Sequence, residues 1–568
     1  MRKQVASYIL LLFLAVSFQP AIGQEVKVSW GKAEKLKKKH YGKEILLDDG
    51  KELVMMERKS NDIDFVFFTI RRDPTLFLQV FNADSLTLIK SIQLRFPQKK
   101  GANYTYSIVK MIKVGGKRLL FLKAKDEKGE RVKLLVQEID QSGRQVGRIL
   151  ELDETMIDGG FGFFSQKKEG DFDIILNPSE TKYAVLRVDP GEEDKVKKVH
   201  LKILNDTSGL EWSGTIDLPY KEAFFELKNY AFNDANEVFL LGKAYETEER
   251  QSLGGRTKTR VIRAQEGSPN YKYSFLVFRT KTLQAQEFDL TLPGKFVTDI
   301  NFSFDTDPVK VRLAGFYSKK WGEGIGGTFS TSINHQTGQV EYSHLKDFSP
   351  AFLKLFESDR SYERSREGKG FYAELNDFRM DDFVMKADGS AYLVAENYYV
   401  VVNTSTIRDQ YGYDRTTTSY TYHYDDLIVL YMNPEGQVEW SAKIPKKQVT
   451  YNDDGPYSSY LLNVEDDRIW IIFNDHEDNS ERYKAGKDPR NMGNPKNTVA
   501  TCVNINNQGQ LVRKDLFNAR TERIVFRPKS SWYSRDLYRS HRIYIFGVDY
   551  GLFKRTKFKM GALDFPAP

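Results

Sequence analysis

Leu427-Ile-Val-Leu-Tyr-Met-Asn433, Pro434-Glu435-Gly436, Gln437-Val-Glu-Trp-Ser-Ala-Lys-Ile444 reads as strand, turn, strand. The run to Asn433 is an apolar strand. Pro434 and Gly436 supply the fixed and the positive φ that a tight turn needs, and Gln437–Ile444 resumes an alternating pattern. The phrase recurs as Leu134–Asp140, Gln141-Ser142-Gly143, Arg144–Leu150, with weaker copies through Asn205–Gly209, Asn334–Gly338 and Asn506–Gly509. One hairpin repeated along a chain marks a repeat architecture.

A second phrase precedes it. Glu237-Val-Phe-Leu-Leu-Gly, Val311-Arg-Leu-Ala-Gly, Ala391-Tyr-Leu-Val-Ala, Ile469-Trp-Ile-Ile-Phe and Ile543-Tyr-Ile-Phe-Gly fall at matching places. Together the two phrases divide the chain into about eight modules of four strands, seven being the alternative count. Four antiparallel strands per module, repeated radially, describe a β-propeller. The first module is expected to use Glu52–Glu57, Asp64–Ile70, Leu76–Asn82 and Ser85–Arg95. The third is expected to use Phe161–Ser165, Asp171–Leu176, Val199–Asn205 and Leu210–Leu218. The last shows only Arg523–Phe526, Arg542–Asp549 and Phe553–Met560, so an N-terminal strand, Val26–Trp30 or Glu44–Leu47, is expected to complete it.

The modules exceed ordinary blade length at defined places. Insertions at Tyr245–Asn270, Tyr398–Tyr424 and Asp475–Lys496 separate second from third strands, and Ser349–Gly370 joins two modules. In an up-and-down blade all four emerge on one side of the ring. Ser349-Pro350-Ala351-Phe352 predicts a capped helix with Pro at its first position. Insertions gathered on one side of a repeat scaffold suit a binding face, although loops also tolerate length for no functional reason.

Arg2 and Lys3, the uncharged Tyr8–Phe18 and the small residues Ala21 and Gly23 read as a secretory signal over residues 1–23. The apolar stretch is too short for the ~20 residues that span a bilayer. Residues 24–568 are expected to form one propeller domain, exported to the periplasm or cell surface. The net charge of +7, of which Arg2 and Lys3 leave with the signal, suggests no nucleic-acid partner. The basic cluster Lys32–Lys39 reads as a solvated segment. Cys502 is the one cysteine, on an alternating strand, and reads as a small buried residue. The 31 Tyr and 38 Phe favour sheet over helix.

Tyr411, Tyr413, Tyr420, Tyr422 and Tyr424 form the most unusual local composition. Tyrosines at alternate positions put their rings on one face of a hairpin, where they could stack on sugars or anchor a protein. The plain reading is a protrusion using Tyr and Thr for sheet propensity. Asp475 and His476, within Asp475-His476-Glu477-Asp478-Asn479, are further ligand candidates, but the cluster lacks calcium-loop spacing. Asp377, Asp381 and Asp382 precede an apolar strand and could line a central channel. The seven His residues show no zinc-like pairing, and no phosphate loop, nucleophile elbow or Cys-x-x-Cys pair is present. No cofactor or metal is therefore expected, and no catalytic set is recognisable.

Trp440-Ser441-Ala442-Lys443-Ile444-Pro445-Lys446, Ser458-Ser459-Tyr460 and Ile472-Phe473-Asn474-Asp475 resemble exported propeller-like proteins of Gram-negative bacteria. The resemblance implies a fold and a compartment and carries no activity. The expectation is a non-enzymatic envelope propeller presenting its loop-rich face to a protein or glycan. The alternative is a carbohydrate-active hydrolase or lyase using channel carboxylates.

Overall fold

The computed structural model describes residues 25–566 except 36, 38, 65–68, 71–72, 97–103, 127–129, 159–167, 190–194, 252–256, 264–268, 320–323, 357–373, 409–413, 466, 531–540 and 550–556. Among the described residues, eight successive antiparallel sheets of four or five strands are the blades of a propeller, and three two-stranded ladders lie outside them. Blade 1 is His40–Asp48, Glu52–Lys59, Thr75–Asn82 and Leu88–Gln93; blade 2 is Tyr104–Val114, Lys117–Asp126, Arg131–Ile139 and Gln145–Asp158. Blade 3 is Asp171–Leu176, Lys182–Val188, Val196–Asn205 and Leu210–Lys221; blade 4 is Phe225–Phe232, Glu237–Tyr245, Tyr271–Arg279 and Gln284–Asp289. Blade 5 is Phe296–Phe304, Lys310–Ser318, Gly327–Asn334 and Gln339–Asp347; blade 6 is Phe378–Met385, Ala391–Arg408, Asp414–Met432 and Val438–Ile444. Blade 7 is Leu461–Val464, Arg468–His476, Thr498–Asn506 and Leu511–Asn518. Blade 8 is Val525–Phe526, Arg542–Asp549 and Lys557–Asp564, with Lys27–Trp30 as its outermost strand.

The second strand of every blade feeds two cores. Leu53 and Met55 pack toward blade 8, while Val54 and Met56 pack toward blade 2. In blade 4, Val238 and Leu240 face blade 3, whereas Phe239 and Leu241 face blade 5. In blade 7, Ile469 and Ile471 face blade 6, and Trp470 and Ile472 face blade 8. Such strands have no solvent side, hence their unbroken apolar sequence. Each neighbouring pair of blades encloses its own hydrophobic core, including the pair formed by blades 8 and 1. The ring is closed.

Closure comes from Lys27–Trp30, which pairs from Lys27 opposite Asp564 to Trp30 opposite Gly561. A Cβ at Gly561 would stand 2.6 Å from the Trp30 ring, so glycine there admits the indole. Trp30 also meets Phe517 of blade 7 edge to face at 5.3 Å.

Three expectations need correction. Glu44–Leu47 belongs to the innermost strand of blade 1 and does not close the ring. Of Asp64–Ile70, only a two-residue ladder is described, Ile63–Asp64 with Thr69–Ile70, set inside a connection rather than in the blade. The second strand of blade 3 is Lys182–Val188, a short apolar run flanked by charge; Phe161–Ser165 lies outside the described residues. Among the described residues no helix is long and apolar enough to cross a membrane.

A chain lacking Lys27–Trp30 leaves Lys557–Asp564 as an open edge. Its unfolding free energy in denaturant titration should fall by about 3–5 kcal/mol, the range for truncating a large core aromatic. An unchanged midpoint would show that closure does not depend on this strand.

Candidate functional site

In blades 1 to 7, strands one and two, and strands three and four, are joined by short turns on one face of the ring. Connections from strand two to three, and from blade to blade, therefore share the other face. All the insertions lie there. Tyr245–Asn270 carries the ladder Thr247–Gln251 with Thr257–Val261. Ser349 caps the helix Pro350–Lys354 by accepting the Phe352 N–H at 3.1 Å, as its sequence predicts. The segment Tyr398–Tyr424 is not a loop: strands two and three of blade 6 continue through it, paired from Tyr398 opposite Tyr424 to Arg408 opposite Asp414. Gln448–Tyr451 adds a third strand beside Thr421–Tyr424. The result is a three-stranded sheet standing up from the long-connection face.

Alternation sorts its residues. Tyr420, Tyr422 and Tyr424 share one face with Val402, Val400 and Tyr398, which sit opposite them. The Tyr420 and Tyr422 rings stack at 6.4 Å, and Tyr420 is 41% exposed. Tyr424 differs: it is buried, its ring lies 4.8 Å from that of Tyr398, and its hydroxyl accepts from Lys529 at 2.6 Å. Tyr411 and Tyr413 lie outside the described residues. The hairpin thus has a rooted base and an exposed aromatic upper part.

Asp475 and His476 are not neighbours in function. Asp475 ends a buried strand, pairs with Arg513, and accepts the Asn479 side-chain N–H at 2.6 Å, so it holds blade 7 together. His476 is half-buried and accepts the Asp478 backbone N–H at 3.1 Å, shaping the turn into the helix Asn479–Lys484. Cys502 is buried in the core between blades 7 and 8, and burial pushes its thiol far above the ordinary range.

Toward the axis, the innermost strands of blades 4, 5 and 6 each slip register, between Leu227 and Asn229, Val297 and Asp299, and Met380 and Asp382. A bulge bends a strand and re-aims its side chains. Here the bulges bring polar groups to the channel. The Asn229 amide donates to Asn301, and Asp299 accepts the Met380 N–H at 2.8 Å. Asp381 and Asp382 line a cavity of about 570 Å³ together with Asn229, Asn301, Asp305 and Phe383. Asp377 is not among its lining residues; its carbonyl accepts the Tyr398 N–H at 2.8 Å.

Asp381 accepts from Arg379 Nε at 2.7 Å, and Tyr460 donates to Asp382 at 2.7 Å. Burial, then the Glu396 charge, push the Asp381 carboxyl up to about 7 against the pull of Arg379. Glu396 is itself fully buried with Lys446. Lys446 donates to Glu396 at 2.8 Å, to the Tyr424 carbonyl at 2.7 Å and to Gln448 at 3.1 Å, which uses all three protons. The second Glu396 oxygen accepts from Ser459 at 2.9 Å. This network joins the axial carboxylates to the base of the raised sheet. Among the described residues, no group of three or more His, Cys, Asp or Glu side chains could hold a metal ion.

No protein family matches the chain, and no curated protein does. Solved structures match only at a distance. The β-propeller domain of the Trilobed protease from Pyrococcus furiosus aligns over 85% of this chain and 98% of its own, with 9% identity and a TM-score of 0.33. An oligogalacturonate lyase in complex with manganese aligns over 82% of this chain and 98% of its own, with 9% identity and a TM-score of 0.31. Prolyl oligopeptidase B from Galerina marginata aligns over 67% of this chain at 10% identity and a TM-score of 0.27, and the chain spans 37% of its length.

The Asp381 shift has a thermodynamic consequence. The folded carboxyl keeps its proton up to about pH 7, while the unfolded one ionises near 3.8. Stability from this group is therefore complete below pH 3.8 and lost as pH rises through 7. Asp381→Asn should be more stable than wild type at pH 8, by at most about 4 kcal/mol at 1.36 kcal/mol per pH unit, and show no gain at pH 4. Denaturant unfolding at the two pH values checks this; equal differences at both would contradict it.

Proposed function

We propose that this chain is an exported propeller that binds a glycan or protein partner on its long-connection face. The signal-like residues 1–23 support export. The carrying observation is the stacked pair of exposed Tyr420 and half-buried Tyr422, above a buried aromatic base on a sheet that rises from that face. Aromatic rings held on a rigid strand offer large contact area at little entropic cost. Retention on immobilised envelope glycans and in envelope-extract capture should fall about tenfold for Tyr420→Ala combined with Tyr422→Ala, the loss expected of an aromatic anchor worth about 1.4 kcal/mol. Unchanged retention of every captured species sinks the reading.

A second reading, a carbohydrate-active hydrolase or lyase, is favoured by Asp381 and Asp382 lining one cavity with the first held near neutrality. Two carboxyls in unlike surroundings can divide acid and base roles. If a polysaccharide panel reveals turnover, Asp382→Asn should lower it roughly 10²–10⁴-fold; retained turnover excludes this pair as the machinery.

A further inference from the structure

The raised sheet has two different edges. One is covered by Gln448–Tyr451. The other is the outer side of strand two of blade 6. The inner strand Phe378–Met385 covers that side only as far as Asn397, opposite Phe378. Beyond it, among the described residues, no strand pairs with Tyr399–Ile407 on its outer side. At about 3.4 Å per residue this edge runs roughly 30 Å away from the ring.

The backbone groups that face outward can be named. Tyr398 donates its N–H to the Asp377 carbonyl, away from the partner strand. Pairing with the partner strand then continues without a slip to Arg408. Orientation alternates along a strand, so Val400, Val402, Thr404 and Thr406 also turn their N–H and C=O groups outward.

Soluble proteins blunt such edges with lysine, proline, bulges or inward charges. Val400-Val401-Val402-Asn403-Thr404-Ser405-Thr406 has none of these, and Val401 through Thr406 are all exposed. Two uncharged copies can meet without opposing like charges. A two-fold axis at Asn403 sets Val400 opposite Thr406 and Val402 opposite Thr404, with roughly eight backbone hydrogen bonds exchanged between the outward groups. The projection of the sheet keeps the two rings apart. We propose that this edge pairs with the same edge of a second copy of the chain, joining two propellers through a continuous antiparallel sheet. The contact uses backbone groups of the outer edge and not the tyrosine face, so it stands independently of the proposed ligand face.

Sedimentation velocity of the full chain over a concentration series should show a monomer–dimer equilibrium. Val402→Pro removes an outward donor and leaves the hairpin's inner ladder intact; it should weaken dimerisation at least tenfold with an unchanged circular dichroism spectrum. Val402→Lys places like charges near the two-fold axis and should do the same, which covers the case in which the proline variant fails to fold. Tyr420→Ala should leave the dimer intact, which separates this contact from the ligand face. A wild-type chain that stays monomeric throughout overturns the proposal, as does a dimer that survives both Val402 substitutions.

Discussion

Burial of each blade's second strand on both faces is the constraint from which the rest follows. A strand such as Glu237–Tyr245 sends Val238 and Leu240 one way and Phe239 and Leu241 the other, and all four are fully buried. Fully burying one such side chain is worth about 1.5–3 kcal/mol, but only if both neighbours are present. No blade can therefore be stable at the end of a row. The arrangement that gives every blade two neighbours is a closed ring, and closure by Lys27–Trp30 lets the first described strand finish the last blade.

The recurring turn serves the same end. In Asn433–Gln437 the Asn433 side chain accepts the Gln437 N–H at 2.8 Å and Gly436 takes a φ of 82°. A Cβ on Gly436 would stand 2.4 Å from the Tyr342 ring of blade 5, and Ser330 of that blade donates to the Gly436 carbonyl at 2.7 Å. Arg312 of blade 5 reaches the Pro434 carbonyl at 2.7 Å. Blade 7 repeats this against blade 6, where Trp440 donates to the Asn507 carbonyl at 2.8 Å and lies against Gly509. The glycine is thus required twice, for its φ and for the close approach of the neighbouring blade.

These features were legible in the sequence because they are local: an apolar run, and a turn of fixed chemistry. Lys182–Val188 escaped because its apolar core is brief and bordered by charge. The raised sheet was legible as a tyrosine-bearing hairpin, but not as a continuation of strands two and three of blade 6 or as the partner of Gln448–Tyr451, because those pairings join residues far apart in the chain. Of the axial network the sequence suggested Asp381 and Asp382 as channel carboxylates, but not their surroundings, because Asp299, Glu396, Lys446 and Ser459 join them only when blades 5, 6 and 7 pack. Yet three stretches that stand out in the sequence, Trp440–Lys446, Ser458–Tyr460 and Ile472–Asp475, supply much of it. Lys446, Ser459 and Tyr460 bind Glu396 and Asp382. Asn474 ties blade 7 to blade 8 through the Phe526 carbonyl at 2.7 Å.

The same network explains why the base and the top of the raised sheet differ. A buried ion pair such as Lys446 with Glu396 gains little net stability, but removing one partner strands a charge at a cost of about 3–5 kcal/mol. The pair is therefore strongly position-specific, and Lys446 fixes the sheet by holding the Tyr424 carbonyl at 2.7 Å. Arg379 adds a second tie, donating to Asp381 while its guanidinium lies 4.6 Å from the Tyr398 ring centre. The base of the sheet is thus fastened to the carboxylate that titrates near neutrality. Above it, Thr404 with Thr418 and Thr406 with Thr416 are exposed cross-strand hydroxyl pairs, at 3.3 and 3.2 Å. Exposed pairs of this kind add only a few tenths of a kcal/mol each, so the upper sheet is held chiefly by its own ladder. The ring thus sets the direction of the sheet at its base, and the ladder alone carries that direction upward.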